Sequence, residues 1–249
     1  MPCANVGDVA RHSLTIAVAQ PACIAGDVAT NAQAHAEAVR SAGARVVVFP
    51  EMSLTGYELA AAVVDVDDSR LRPLLAACVE SGTLALAGAA VVGPDGNGRS
   101  IGTLGFDPGG SVAVVYRKLW LGPSEVDAGF EPGTTPVAID IDGWRLGLAI
   151  CKDTRHPEHS TATAALGIDV YVAGIVHGAD EPDEHEIRAR RVIADHGVAV
   201  ATASFAGPTG GGYDDTAGNS AIWAADGTEL ARAGTRPGEI AVATLTVSP

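Results

Sequence analysis

The stretch Arg45-Val46-Val47-Val48-Phe49-Pro50-Glu51 decides how this sequence is read. Three consecutive β-branched residues followed by Phe form a run with no polar face, the mark of a strand covered on both sides. Proline cannot donate to a ladder, so the strand stops before Pro50, and the Glu51 carboxylate falls where a buried strand reaches the surface. Upstream, Leu14 to Ala19 is a second apolar run, and between the two Asp27 to Ser41 opens on a capping Asp and closes near Gly43, as a helix does. Downstream, Ser69 to Ser81 ends at Gly82 and Thr83 to Val92 returns as a strand. Strand, helix and strand in succession predict parallel pairing.

The same alternation continues. Ser111 to Tyr116, Arg145 to Ile150, Asp169 to Ala173, Val198 to Ala203, Ser220 to Ala224 and Glu239 to Leu245 read as strands, and Pro157 to Leu166 and Glu181 to His196 as helices. Ser220 to Ala224 and Glu229 to Ala233 flank Asp226-Gly227 and predict an antiparallel hairpin. An α/β chain with mixed sheets is expected. Its 249 residues are 47% hydrophobic, enough for a large core. Neither a Pro/Ser-rich spacer nor a charge block or repeat interrupts it, so one domain over 1–249, with its core at about 14–247, is expected.

A formal net charge of −14 with no Lys/Arg cluster excludes nucleic-acid phosphates and anionic membrane surfaces as partners. Met1 to His12 lacks the basic flank and apolar stretch of a secretory signal, and no window approaches the ~18 apolar residues of a membrane span. A soluble cytoplasmic protein is therefore expected. Its four cysteines, Cys3, Cys23, Cys78 and Cys151, are widely and irregularly spaced, which points to reduced thiols rather than a disulfide framework.

Glu51 is one of three polar residues at the ends of apolar strands. Val114-Val115-Tyr116 leads into Arg117-Lys118, and Leu148-Ala149-Ile150 leads into Cys151-Lys152-Asp153. Carboxyl ends of strands in α/β sheets form ligand crevices, so the three can converge although far apart in the chain. Any one of them alone reads as a solvated charge; together they fit one chemistry. A thiol needs a base or a cation to become reactive, and this set supplies one of each. Cys151 would attack an amide carbonyl, Glu51 would take the thiol proton and return one to the leaving nitrogen, and Lys118 would stabilise the oxyanion, aided by the Lys152 backbone N–H. Neither metal nor organic cofactor enters this scheme.

These residues resemble the nitrilase or carbon-nitrogen hydrolase superfamily, in its amidase-like branch. Phe49-Pro50-Glu51 with Thr55-Gly56-Tyr57 is similar to the family's glutamate motif, Tyr116-Arg117-Lys118 with Leu121 and Phe130-Glu131-Pro132-Gly133 to its lysine motif, and Cys151-Lys152-Asp153 through Pro157-Glu158 to its cysteine motif. Arg190-Arg191 to Gly207, and Gly218-Asn219-Ser220 with Asp226-Gly227, resemble later segments, so the likeness runs from about Leu14 to Val247. It implies a four-layer α-β-β-α sandwich, pairing into homodimers or larger assemblies, and hydrolysis of a small amide through a thioester. It also implies a second glutamate between lysine and cysteine. Glu125 matches best, although its spacing to Phe130 is one residue long, and Asp127 is the fallback. Tyr57, Trp120 and Lys152 are expected to face the substrate. Trp120 stands where the family often has His, implying a more apolar wall, and Lys152 stands where amidase-like members commonly have Tyr. Lys152-Asp153 favours amides over nitriles, whose hydrolases carry Glu and His there. A carbamoyl compound or a nitrile as substrate, or a non-catalytic member of the fold, remain the alternatives.

Other polar groups read as structural. Asp153, His156 and His159, with His177, lack the closed ligand geometry of a zinc site and read as surface residues at a helix start. Gly207-Pro208 and Gly210-Gly211-Gly212 lack the Lys-Ser/Thr of a phosphate loop and read as a rim of the substrate site. His185 and Arg188 read as solvated helix charges, and Asp214 and Asp215 favour a cationic or neutral substrate over a dicarboxylate. Cys3 reads as terminal, Cys23 and Cys78 as packing residues, and Trp144 and Trp223 as core.

Overall fold

The computed structural model describes residues 13–246. Met1 to His12, with Cys3, and the last residues from Val247 lie outside the described residues. Two six-stranded mixed sheets stack face to face, with helices on both outer faces, giving the four layers α-β-β-α.

In the first sheet β1 (Leu14–Ala19), β2 (Val46–Val48) and β3 (Leu84–Val92) run parallel, linked by α1 (Val28–Ala42) and α2 (Arg72–Ser81). β4 (Arg99–Phe106) and β5 (Val112–Arg117) follow as antiparallel hairpins, and β12 (Ile240–Leu245) closes the other edge against β1. The second sheet has the order β11-β10-β9-β8-β7-β6. In it β7 (Trp144–Ile150), β8 (Val170–Ile175) and β9 (Ala199–Ser204) are parallel, with α4 (Pro157–Ala164) and α5 (Glu184–His196) between them. β6 (Ala138–Ile141) and the hairpin of β10 (Ala221–Trp223) and β11 (Glu229–Arg232) are antiparallel additions.

The central strands lack a polar face because each buries both. Along β1, Leu14, Ile16 and Val18 enter the core between the sheets, while Ala17 and Ala19 meet the helices; Val46 and Val48 against Val47 repeat this in β2. The outward side chains are mostly Ala, which lets α1 lie close through Val28, Ala32, Ala36 and Val39. Asp27 caps α1 by accepting from the Thr30 N–H at 3.0 Å. Trp223 is fully buried and Trp144 nearly so. No helix among the described residues is long and apolar enough to cross a membrane.

Two strands escape a pattern reading. β4 carries Gly102 and Gly105, which dilute its β propensity. β6 is a short strand whose hairpin turn is Asp142-Gly143, both at positive φ, an Asp-Gly signal that the sequence does contain.

Candidate active site

β4 reverses β3 and β5 reverses β4, so β5 ends at the same rim as β2, and β7 ends there in the facing sheet. Lys118 and Cys151 follow β5 and β7 at once and line a cleft of about 280 Å³, while Glu51, shortly after β2, is buried behind the lining and reaches it through Lys118. A roomier cavity of about 380 Å³ opens at the opposite strand ends, near Trp144, Val198 and Leu245, away from all three.

Glu51 sits in a tight turn, pinched from both sheets. A Cβ on Gly88 of β3 would come within 2.2 Å of the Met52 nitrogen, and one on Gly174 of β8 within 2.7 Å of the Phe49 oxygen. Only glycine lets the two backbones flank the turn so closely. Cys151 lies at φ 37°, in the left-handed region, at the head of a 3₁₀ turn over Cys151–Arg155. A side chain held there requires support from its surroundings. Asp153 supplies it. Its Oδ2 accepts from the Ile150 N–H at 3.0 Å and the Tyr116 hydroxyl at 2.7 Å, and its Oδ1 accepts from the N–H groups of Leu119 at 3.1 Å and Trp120 at 2.9 Å. One buried carboxylate thus ties the cysteine turn to the segment after Lys118.

Lys118 is 1% exposed and donates to Glu51 Oε1 and Glu125 Oε1, each at 2.6 Å. Glu125 opens onto the cleft from α3 (Pro123–Asp127), with Oε1 also accepting from the Tyr57 hydroxyl at 2.7 Å and Oε2 from the Gly122 N–H at 2.6 Å. Asp127, on the same short helix, is exposed, so Glu125 is the carboxylate beside the lysine. The Cys151 thiol donates to the Val176 carbonyl at 3.5 Å. The Lys152 side chain lines the cleft with Nζ bonded to the Leu121 carbonyl at 2.8 Å.

Burial dominates the electrostatics. Desolvation lifts the Glu51 carboxyl to about 7 against the pull of Lys118, with Glu125 pushing the same way as burial. It lifts the Cys151 thiol to about 12, helped by the Glu51 charge. Desolvation works against the Lys118 ammonium, but Glu51, Cys151 and Glu125 outweigh it and raise its pKa. Burial raises Glu125 too, yet Lys118 and its hydrogen bonds bring its pKa below the ordinary value. The resting cluster therefore holds a neutral thiol, a charged ammonium and, in Glu51, a carboxyl able to change protonation near neutrality.

The remaining expectations divide. Tyr57 and Lys152 lie on the cleft; Trp120 does not. With its backbone N–H anchored to Asp153, its indole turns outward, is 39% exposed and stacks on His156 at 3.9 Å. Asp153 and His159 are buried rather than superficial. Because the Tyr116 hydroxyl gives its proton to Asp153, it accepts from His159 Nε2 at 2.8 Å, and His159 Nδ1 accepts from Tyr171 at 2.9 Å. His185 is buried with Nε2 donating to the Asn219 carbonyl at 2.9 Å, and Arg188 is mostly buried against the cleft. The glycine-rich loop reaches the cleft through Tyr213, which packs edge-on against Tyr57 at 5.3 Å, whereas Asp214 and Asp215 face solvent. Sequence reasoning missed His177 and Arg188 as wall residues; the only signal was their place just after β8 and on the following helix.

The family model for carbon-nitrogen hydrolases matches residues 15–248. This chain belongs to the carbon-nitrogen hydrolase family. It is 31% identical over 225 residues to the hydrolase Rv0480c of Mycobacterium tuberculosis, covering 82% of this chain and 78% of that one. It is 31% identical over 163 residues to an (R)-stereoselective amidase of a Pseudomonas species, covering 63% of this chain and 57% of the other. A mutant of the amidase from Nesterenkonia sp. AN1 in complex with butyramide superposes with a TM-score of 0.83 at 27% identity, over 96% of this chain and 94% of that one. Another structure of that amidase shows acrylamide added at its active-site cysteine. This carbon-nitrogen hydrolase is thus an enzyme acting on non-peptide C–N bonds, built on the nitrilase-superfamily sandwich.

Proposed function

We propose that the protein is a thiol amidase that cleaves a small carboxamide to a carboxylic acid and ammonia, with Cys151 as nucleophile, Glu51 as acid and base, Lys118 as electrostatic partner and Glu125 as its anchor. The observation that carries this reading is the Lys118 ammonium held at 2.6 Å from both Glu51 and Glu125 on the cleft that Cys151 lines. In this reading residues 14–247 act as one catalytic domain.

With its pKa raised to about 12, the thiol does not wait as a thiolate. As Sγ bonds to the amide carbon, Glu51 takes the thiol proton, and the carbonyl becomes an oxyanion facing the Lys118 ammonium and the Lys152 N–H. Collapse of that intermediate breaks the C–N bond while Glu51 returns the proton to nitrogen, so ammonia leaves and a thioester remains. Water then adds to the thioester as Glu51 takes its proton. The carbonyl reforms, the cysteine sulfur leaves and regains the proton from Glu51, and the free acid departs. Lys118 cannot be the base, because the carboxylates keep it protonated.

Incubating the protein with a panel of small amides and measuring intact mass is the direct test. An acyl adduct on Cys151 is expected in the wild type quenched during turnover, Glu51→Gln should slow both its formation and its hydrolysis, and Cys151→Ala should neither form it nor turn over. Full turnover by Cys151→Ala sinks the mechanism. Matched amide and nitrile substrates separate the amidase from a nitrilase on the same scaffold.

A further inference from the structure

Besides Lys118, Glu125 and Cys151, the cleft is lined by side chains that the amide chemistry leaves unused. His177 directly follows Val176, whose carbonyl receives the Cys151 thiol. It is 3% exposed and lines the cleft, yet neither ring nitrogen has a hydrogen-bond partner among the described residues. Burying an imidazole with both nitrogens unpaired is costly, and a ligand in the cleft would supply the missing partner. Burial, reinforced by the Arg188 charge and by His185, holds its pKa down at about 3, so the ring is neutral and offers one N–H donor.

Arg188 stands beside it on α5 with its side chain 13% exposed. Glu184 Oε2 accepts from its Nε at 3.1 Å and its Nη2 at 2.7 Å, which leaves Nη1 without a partner among the described residues. The charge around these two is not that of the molecule. The chain carries −14 overall, and its only two lysines, Lys118 and Lys152, both line this cleft. Arg155 and Arg188 join Lys152 there, against Glu181 and against Glu125, which Lys118 already pairs. A concave site with an excess of one sign of charge concentrates ligands of the other sign.

We infer that the amide substrate carries a second group, a carboxylate, received by Arg188 Nη1 and the His177 N–H. This rests on the amidase reading and narrows it: the substrate is a short monoamide of a dicarboxylic acid, or an equally placed carboxylate on another amide. A cationic amide would face Lys152, Arg155 and Arg188, and a purely apolar one would leave His177 and the guanidinium unpaired. The expectation from Asp214 and Asp215 is reversed, because those two side chains point away from the cleft.

Succinamate and butyramide test this, since they have the same chain length and differ by a carboxylate in place of a methyl group. The wild-type kcat/KM for succinamate is expected to exceed that for butyramide by about tenfold or more, with the advantage shrinking as salt is added. Arg188→Met should cut the succinamate-to-butyramide ratio by about tenfold, chiefly through KM, and Arg188→Lys should restore part of it. His177→Leu, which preserves the apolar packing, should lower the same ratio. In Cys151→Ala, calorimetry should show succinamate binding tighter than butyramide without turnover. Butyramide cleaved as well as succinamate overturns the carboxylate subsite alone, as does an unchanged ratio in folded Arg188→Met. No turnover of either amide and no acyl adduct on Cys151 overturn the amidase reading and the subsite with it.

Discussion

Because burial lifts Glu51 to about 7, its protonation should govern activity near neutrality. The base works only when ionised, so kcat/KM is expected to rise with pH to a plateau above about 7, and a flat profile from pH 5 to 9 would contradict the assignment. Glu125 helps to raise the Glu51 pKa. Glu125→Gln should therefore move the rising limb to lower pH while weakening the hold on Lys118; a limb that moves up would refute the coupling. Stability follows the same group with the opposite sense. A carboxyl whose pKa is raised from 4.5 to about 7 stabilises the fold fully below pH 4.5, and that stability is lost as pH climbs through 7. The loss amounts to about 3 kcal/mol at about 1.4 kcal/mol per pH unit. Urea titrations at pH 5 and pH 8 should show it in the wild type and not in Glu51→Gln.

The 3₁₀ turn over Cys151–Arg155 depends on Asp153 more than on its own propensity. Asp153→Ala would leave four donors, on Ile150, Leu119, Trp120 and the Tyr116 hydroxyl, without their acceptor in the interior. At about 1–3 kcal/mol for each orphaned group, partly relieved by relaxation, a loss of about 3–5 kcal/mol is expected. Denaturant midpoints measure it, and a cost under about 1 kcal/mol would show that the turn holds itself. Several elements could be read directly from the chain. α1, α2 and α5 stop at Gly43, Gly82 and Gly197, all in the left-handed conformation, because only glycine enters that conformation without cost. β4 and β6 could not be found by the same means, since glycines interrupt the apolar period of one and the other is a four-residue strand.

At the scale of the molecule the site exists because two sheets stacked face to face close on one turn. Gly174→Ala places a methyl 2.7 Å from the Phe49 oxygen in the opposite sheet, so it should destabilise the fold by about 1–3 kcal/mol and displace Glu51, lowering kcat. Unchanged stability and kcat together would show that the sheets have slack there. Much of the architecture follows from the chain alone. The doubly apolar strands, the Gly stops and the order strand-helix-strand dictate mixed sheets covered by helices, the stacking of two such sheets is implied only by the family likeness, and the polar residues ending Val46–Val48, Val112–Arg117 and Trp144–Ile150 mark where chemistry can gather. Their convergence needed the register of β3, β4 and β5, which brings Lys118 to the rim of Glu51. So did every distinction that depends on direction: Glu125 inward and Asp127 outward, Trp120 turned away, Tyr213 toward the cleft with Asp214 and Asp215 to solvent, and His177 and Arg188 on the wall. Local sequence sets which residues form a strand or a turn, because propensity and period act over a few neighbours. Which way a loop side chain faces is decided by the packing of segments distant in the chain, and only the tertiary structure brings those together.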